Sequence, residues 1–390
     1  MMPADPLEAV TAPDPYPYYR ALAARQPFGF DERLGLWVAA GPAEVAAVLA
    51  HPDCRVRPLS QPVPTALAGT AAGALFGRLI RMNDGAAHAP LKAILMRSMA
   101  SIDAATAKAR CAGLAGVLDL VPDMAPLNGA TINRWLFTLP VVTVADLLGL
   151  PVRAGADAVA VAARVAAYAA AQSPLATADD VEAGSDAARW LGQWLKMPAG
   201  RPCPAEDLGL LPALRQAAHA NDIAPEVVAA NVIGVMVQAC EATAGLAGNM
   251  LVRLGRSSPT TGGLDELAVR VAIDDPPVQN TRRFLAADAR VCGVPVRAGD
   301  AVLVLLAAAS CAAPVEAGAR PWTFGAGRHA CPGDALARAL AAATVDALLA
   351  RGAQPAFLAQ AFRYRPSHNA RVPHFFEALV RPHSPRRPTT

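Results

Sequence analysis

The chain has 390 residues, 54% of them hydrophobic and 17% charged, with a net charge of +3. This composition excludes a disordered chain, and the length allows a large core. The basic balance is slight, and no Lys/Arg cluster has the footprint of a nucleic-acid-binding surface.

Alanine dominates and aromatics are few, which favours helix. In chain order, a short helix is predicted over 17–25 and a strand pair over 28–39 with its turn at Asp31 and Glu32. A second short helix follows over 43–49 behind Gly41 and Pro42. The stretch 56–77 reads as irregular because of Pro58, Pro62 and Pro64, and 84–99 as mostly helical. Helices are predicted over 105–120 and 128–148, the latter split by Pro140. Two more cover 156–171 and 180–195, around a polar turn at 173–177.

The proline-rich 198–212 reads as a loop, followed by a helical piece over 214–219. From Pro225 a nearly uninterrupted apolar run extends to about Arg253. Some thirty residues make a helix of about 45 Å, long enough to cross a domain, and its apolar side chains all round place it at the centre. After a break at 257–263 comes a short helix over 264–273, ended by Asp275-Pro276-Pro277. Short strands alternate with turns over 278–304, a helix covers 334–350, and 362–373 is strand and turn. Residues 382–390 read as a loose tail. No repeat or linker is evident, so 1–390 is expected to be one domain.

The seven cysteines (Cys54, Cys111, Cys203, Cys240, Cys292, Cys311 and Cys331) are odd in number and scattered, with no CxxC pair. A disulfide framework, a structural zinc and an iron–sulfur cluster are therefore not expected. The N-terminus shows no basic stretch before an apolar run, and the longest apolar stretch, 301–315, is short for a bilayer. A cytoplasmic protein without a membrane span is expected.

Residues 321–340 read PWTFGAGRHACPGDALARAL. Two glycines precede one cysteine, another follows it, and a helix begins beside it. Such a loop brings backbone amides near the Cys331 sulfur, surroundings that favour a thiolate. With no second ligand at metal spacing, Cys331 suits a single axial bond to a planar cofactor better than zinc. On composition alone, a glycine-rich turn around an inert buried cysteine competes equally with that reading.

This stretch resembles the haem-binding signature of the cytochromes P450, Phe-Gly-x-Gly-x-His/Arg-x-Cys-x-Gly, at Phe324, Gly325, Gly327, His329, Cys331 and Gly333. The resemblance, to the soluble bacterial type, extends to 84–91, Leu-Leu-Gly-Leu-Pro at 147–151, the long helix, 276–283 and 364–373. It implies the P450 fold, mainly α with a small β region, and haem b as cofactor. It also implies insertion of one oxygen atom from O2 into a hydrophobic small molecule, with electrons from a ferredoxin and its reductase. Residue by residue, Cys331 is the implied iron ligand and Phe324 its neighbour. His329, His88, Lys92 and Arg283 are implied to hold the propionates. Lys92 stands where the family has arginine. Glu241 matches the distal acid, Ala242 occupies the usual alcohol position, and Thr243 follows it.

Two departures stand out. The family's Glu-x-x-Arg falls on Arg270 and Ile273, so the expected acid–base pair is absent, and the 310–321 connection is shortened. They leave open a haem-thiolate protein that uses peroxide or catalyses another reaction, and a haem-binding scaffold. Pocket segments in this family would fall near 65–80, 160–179, 236–239 and 278–281, mostly small and apolar here.

Overall fold

A computed structural model describes residues 2–124, 127–152, 155–196, 210–256, 262–312 and 320–376. Helices dominate. The helix Pro225–Arg256 is the longest described, with 32 residues, about 48 Å. It is buried along most of its length and packs against the helices Gly129–Leu147, Gly155–Ala171, Leu264–Asp274 and Asp334–Ala350. It is also the one described helix long and apolar enough to cross a membrane, and its apolar window is mostly buried inside the protein. The central position read from its all-round apolar character therefore holds.

Among the described residues the β region comprises nine short strands. β1 (Phe28–Asp31) and β2 (Leu36–Ala39) form the predicted hairpin, and β3 is Cys54–Arg55. Thr281–Leu285 is β4, Ala289–Val291 β5, Val294–Val296 β6 and Ala301–Val304 β7. β8 (Phe362–Tyr364) and β9 (Pro373–Phe375) close the chain's described part. One sheet has the order β1-β2-β7-β4-β3, with β2 and β7 parallel and the other pairs antiparallel. β5–β6 and β8–β9 are separate two-stranded ribbons. One face of the larger sheet buries Val302 and Val304 with Val45, Val48 and Leu49. The other buries Leu303 and Leu305 with Tyr19 and Leu22. This is the period-two alternation of a sheet covered on both sides.

Three expectations need correction. Pro140 does not split its helix, for Gly129–Leu147 is continuous around it. The helix is buried on nearly every side there, and tertiary packing outweighs the one N–H that proline removes. The 56–77 stretch is not wholly irregular. Its last part is the helix Ala71–Phe76, capped by Thr70, whose hydroxyl accepts the Gly73 amide at 3.0 Å. Finally, the helix after Asp84 begins at Ala89, with Pro90 in its first turn and a 3-10 turn Gly85–Ala87 before it. The predicted 382–390 tail, most of the 198–212 loop and the core of the 257–263 and 310–321 connections lie outside the described residues.

The missing Glu-x-x-Arg has a structural counterpart. Arg270 makes only a 3.9 Å pair with Glu266 across one helical turn, on a partly exposed face. The buried ion pair lies just beyond. Arg371 Nε donates to Asp275 Oδ1 at 2.7 Å, while its Nη atoms donate to the carbonyls of Val10, Ala12 and Pro13. Tyr16 and Tyr364 donate to the same carboxylate, and the guanidinium lies 3.6 Å over the Tyr364 ring. One side chain thus ties the N-terminal segment to the end of the 264–274 helix and the 364–373 turn.

Candidate functional site

The loop before the helix Asp334–Ala350 is set by its glycines. Gly325 sits at φ 64°, ψ −179°, a region open essentially to glycine alone. Gly327 is at φ 63°, where a side chain would also stand 3.2 Å from the Leu49 carbonyl. Between them the chain turns back on itself, and the Cys331 amide donates to the Phe324 carbonyl at 2.8 Å. Arg320 fastens the outer side, hydrogen-bonding the Cys331 carbonyl and pairing with Asp334 at 3.4 Å.

The Cys331 side chain faces a cavity of about 1030 Å³. Burial pushes its thiol up. The Gly333 amide, Arg320 and Lys92 pull it down, but burial prevails. The expected amide at the sulfur is there, yet the loop alone does not make a thiolate. Among the described residues no group of three His, Cys, Asp or Glu could hold a metal.

All eight residues singled out in the sequence line this one cavity: His88, Lys92, Glu241, Thr243, Arg283, Phe324, His329 and Cys331. The His88 and His329 rings pack in a tilted arrangement, with centroids 4.4 Å apart and planes at 47°. Burial, followed by His329 and Lys92, drives His88 down to about 4. Burial also lowers Lys92, whose Nζ donates to the Ala330 carbonyl at 2.5 Å. Arg283 is 5% exposed, and burial brings it down to about 10. Its Nη1 finds only neutral acceptors, Thr281 Oγ1 at 3.2 Å and the Arg282 carbonyl at 2.8 Å.

Asp84 was not anticipated as a site residue. Its carboxylate accepts from His329 Nε2 at 2.9 Å, Arg328 Nε at 3.3 Å and the Val56 amide at 3.0 Å. Burial alone would raise this acid, but the His329 and Val56 hydrogen bonds and the neighbouring His329 and Arg328 hold it well below the usual carboxylate range. The acid in the 84–91 motif was the available signal, but its partners lie some 245 residues away.

The edge of the cavity therefore collects the cations Lys92 and Arg283, beside the imidazoles of His88 and His329, against one acid that is already engaged. Buried cations in surplus call for anions from outside the chain. A flat cofactor with two carboxylates, bonded on one face by Cys331, meets both requirements, and the donor set fits haem.

The opposite wall is the middle of the 225–256 helix. Glu241 is directed into the cavity, and its carboxyl is raised, mainly by burial and against the pull of Arg365 and Arg81. Ala242 lines the cavity without a polar group. Thr243 is 2% exposed, and its hydroxyl does not bond back to the helix. Thr143 and Thr344, by contrast, donate to the carbonyls of Leu139 and Leu340 at 2.7 Å.

No family model and no curated protein sequence matches the chain. Solved structures do. It superposes on P450BioI in complex with acyl carrier protein ligated to hexadec-9Z-enoic acid at TM-score 0.71 and 20% identity, over 93% of this chain and 98% of that one. With CalO2 the TM-score is 0.70 at 23% identity, covering 96% and 99%. With the Tepidiphilus thermophilus P450 heme domain it is 0.73 at 18% identity, covering 96% and 95%.

Proposed function

We propose that this chain, which has the cytochrome P450 fold, is a haem-thiolate monooxygenase acting on a largely apolar small molecule. One observation carries the reading. A thiol on a glycine-shaped loop faces a cavity whose rim holds more buried cations than acids. Cys331 would ligate the iron. Lys92 and Arg283 would take the propionates, with His88 and His329 completing the rim. Lysine offers a point charge where a guanidinium would offer a fork, so its contact carries less directional constraint. Bound there, haem supplies the reductive activation of dioxygen, chemistry that no side chain performs.

The chain's own groups divide the remaining work. The Gly333 amide steadies the charge on sulfur. Arg320 holds the Cys331 carbonyl and so fixes the loop's position. Asp84 keeps the His329 ring oriented through its Nε2 proton. On the far wall, the Glu241 carboxyl, raised mainly by burial, would exchange protons with the cavity, and the Thr243 hydroxyl would relay them. Leu95, Val144 and Leu246 exclude water around them. Two electrons from a ferredoxin and its reductase, with two protons, would send the second oxygen atom out as water.

The reduced, carbon-monoxide-bound absorption spectrum tests the cofactor assignment. A strongly red-shifted Soret band is expected, and Cys331→Ser is expected to remove it. An unshifted band in the parent protein, or no haem at all, refutes the reading. Turnover with ferredoxin, its reductase and dioxygen separates the monooxygenase from a protein that works only with peroxide.

A further inference from the structure

We propose that the cavity binds an apolar molecule carrying one carboxylate, and that Arg81 receives it. The inference rests on the haem-thiolate reading, to which it adds a substrate class, and it stands on residues remote from the Cys331 loop.

Arg81 belongs to the 3-10 turn Ile80–Met82, which is clamped on both sides. The Ile80 amide donates to Asn231 Oδ1 at 2.8 Å, and Asn231 Nδ2 donates to the Arg78 carbonyl at 2.9 Å and the Val227 carbonyl at 2.8 Å. Asn83 Nδ2 holds the carbonyls of Gly77 and Leu79. The turn is therefore stapled to the central helix, and the guanidinium is carried on fixed backbone.

That guanidinium lines the cavity and is only partly satisfied. Its Nη2 donates to Gln172 Oε1, whose own amide nitrogen is held by the Tyr168 carbonyl at 3.1 Å. Its Nε is enclosed in protein and has no partner, and its Nη1 donates to none of the described residues, which leaves that donor open to a ligand. The Tyr168 hydroxyl, close enough to feel the Arg81 charge, is buried without a partner as well. No described carboxylate reaches ion-pair distance of Arg81. Glu241 acts on it only from further away, beyond hydrogen-bond reach.

A buried cation without an anion is unfavourable, and an apolar residue at this position would avoid the cost. One guanidinium with unfilled donors matches one carboxylate in charge and geometry. An alcohol or amide would leave the charge uncompensated. The lining of the same cavity also includes the apolar side chains of Phe76, Ile80 and Val235. Asn231 and Thr243 are twelve residues apart on the central helix, about 18 Å, which leaves room for an apolar body beyond the anchor.

The test uses the haem-loaded protein. Its carbon monoxide spectrum is recorded first, so that failure of the haem assignment is seen separately. Isothermal titration then compares pairs sharing a carbon frame: decanoic acid with decan-1-ol, and 2-naphthoic acid with 2-naphthol. The acid of at least one pair is expected to bind about tenfold or more tightly than its alcohol. Arg81→Gln should abolish that preference and leave the alcohol's affinity unchanged. Gln172→Glu, which gives Arg81 an internal carboxylate, should abolish it too without removing the cation. Three outcomes overturn the proposal: acids and alcohols binding alike, no acid binding below about 1 mM, or a preference that survives both substitutions.

Discussion

Arg371→Met probes the network that stands where the family's acid–base pair is missing. Arg371 is 1% exposed, is paired with Asp275 at 2.7 Å, and donates to three carbonyls of the N-terminal segment. Methionine keeps much of the volume over the Tyr364 ring but removes every donor. Asp275 retains Tyr16 and Tyr364, while the carbonyls of Val10, Ala12 and Pro13 lose a partner. Breaking a buried pair from one side costs about 3–5 kcal/mol. Unfolding entropy for a chain of this length is about 0.8 kcal/mol per kelvin, so the melting temperature should fall by about 5 °C. Differential scanning fluorimetry on the haem-loaded protein reads this directly. Adding Asp275→Asn should recover part of the loss, because the remaining charge is then removed. A fall below about 1 °C, or a double variant no better than the single one, would show that this network does not fasten the N-terminal segment.

Further outcomes follow from the site. Gly325→Ala forces a side chain onto φ 64°, ψ −179° and should cost about 1–3 kcal/mol, with faster haem loss in a transfer assay to apomyoglobin. Asp84→Asn removes the charge that His329, Arg328 and the Val56 amide share, and should cost about 2–4 kcal/mol in urea unfolding. The haem-free protein should lose stability as pH falls from 6.5 towards about 4, because the unfolded chain takes up a proton that buried His88 resists. His88→Gln should flatten that slope, and an unchanged slope would assign it to other groups. Ala242→Thr places a hydroxyl at the bare position of the cavity wall and should raise product formed per electron consumed. An unchanged ratio would mean that Thr243 already serves the proton path.

Much of the site was legible because it is written locally. Gly325, Gly327 and Cys331 lie within seven residues, and their spacing alone requires a tight loop with the sulfur at a helix start. The central helix was legible from an apolar run too long for any peripheral element. Pro140 misled because propensity is a local quantity, whereas the continuity of its helix is decided by packing on all sides. The buried ion pair left no local sign either, since it forms between Asp275 and Arg371, 96 residues apart, while Arg270 reaches Glu266 at only 3.9 Å.

The sequence by itself determined the thiol loop and the long core helix, and the family resemblance pointed to eight candidate residues. Only the tertiary structure decided that these eight share one cavity, that Asp84 already occupies His329, and that Arg81 reaches the same space without an acid to meet it. The state of Cys331 was decided there as well. The loop supplies an amide that favours a thiolate, but burial by distant helices outweighs it. Charge and desolvation depend on everything within reach in space, and a local sequence pattern records only what is near along the chain.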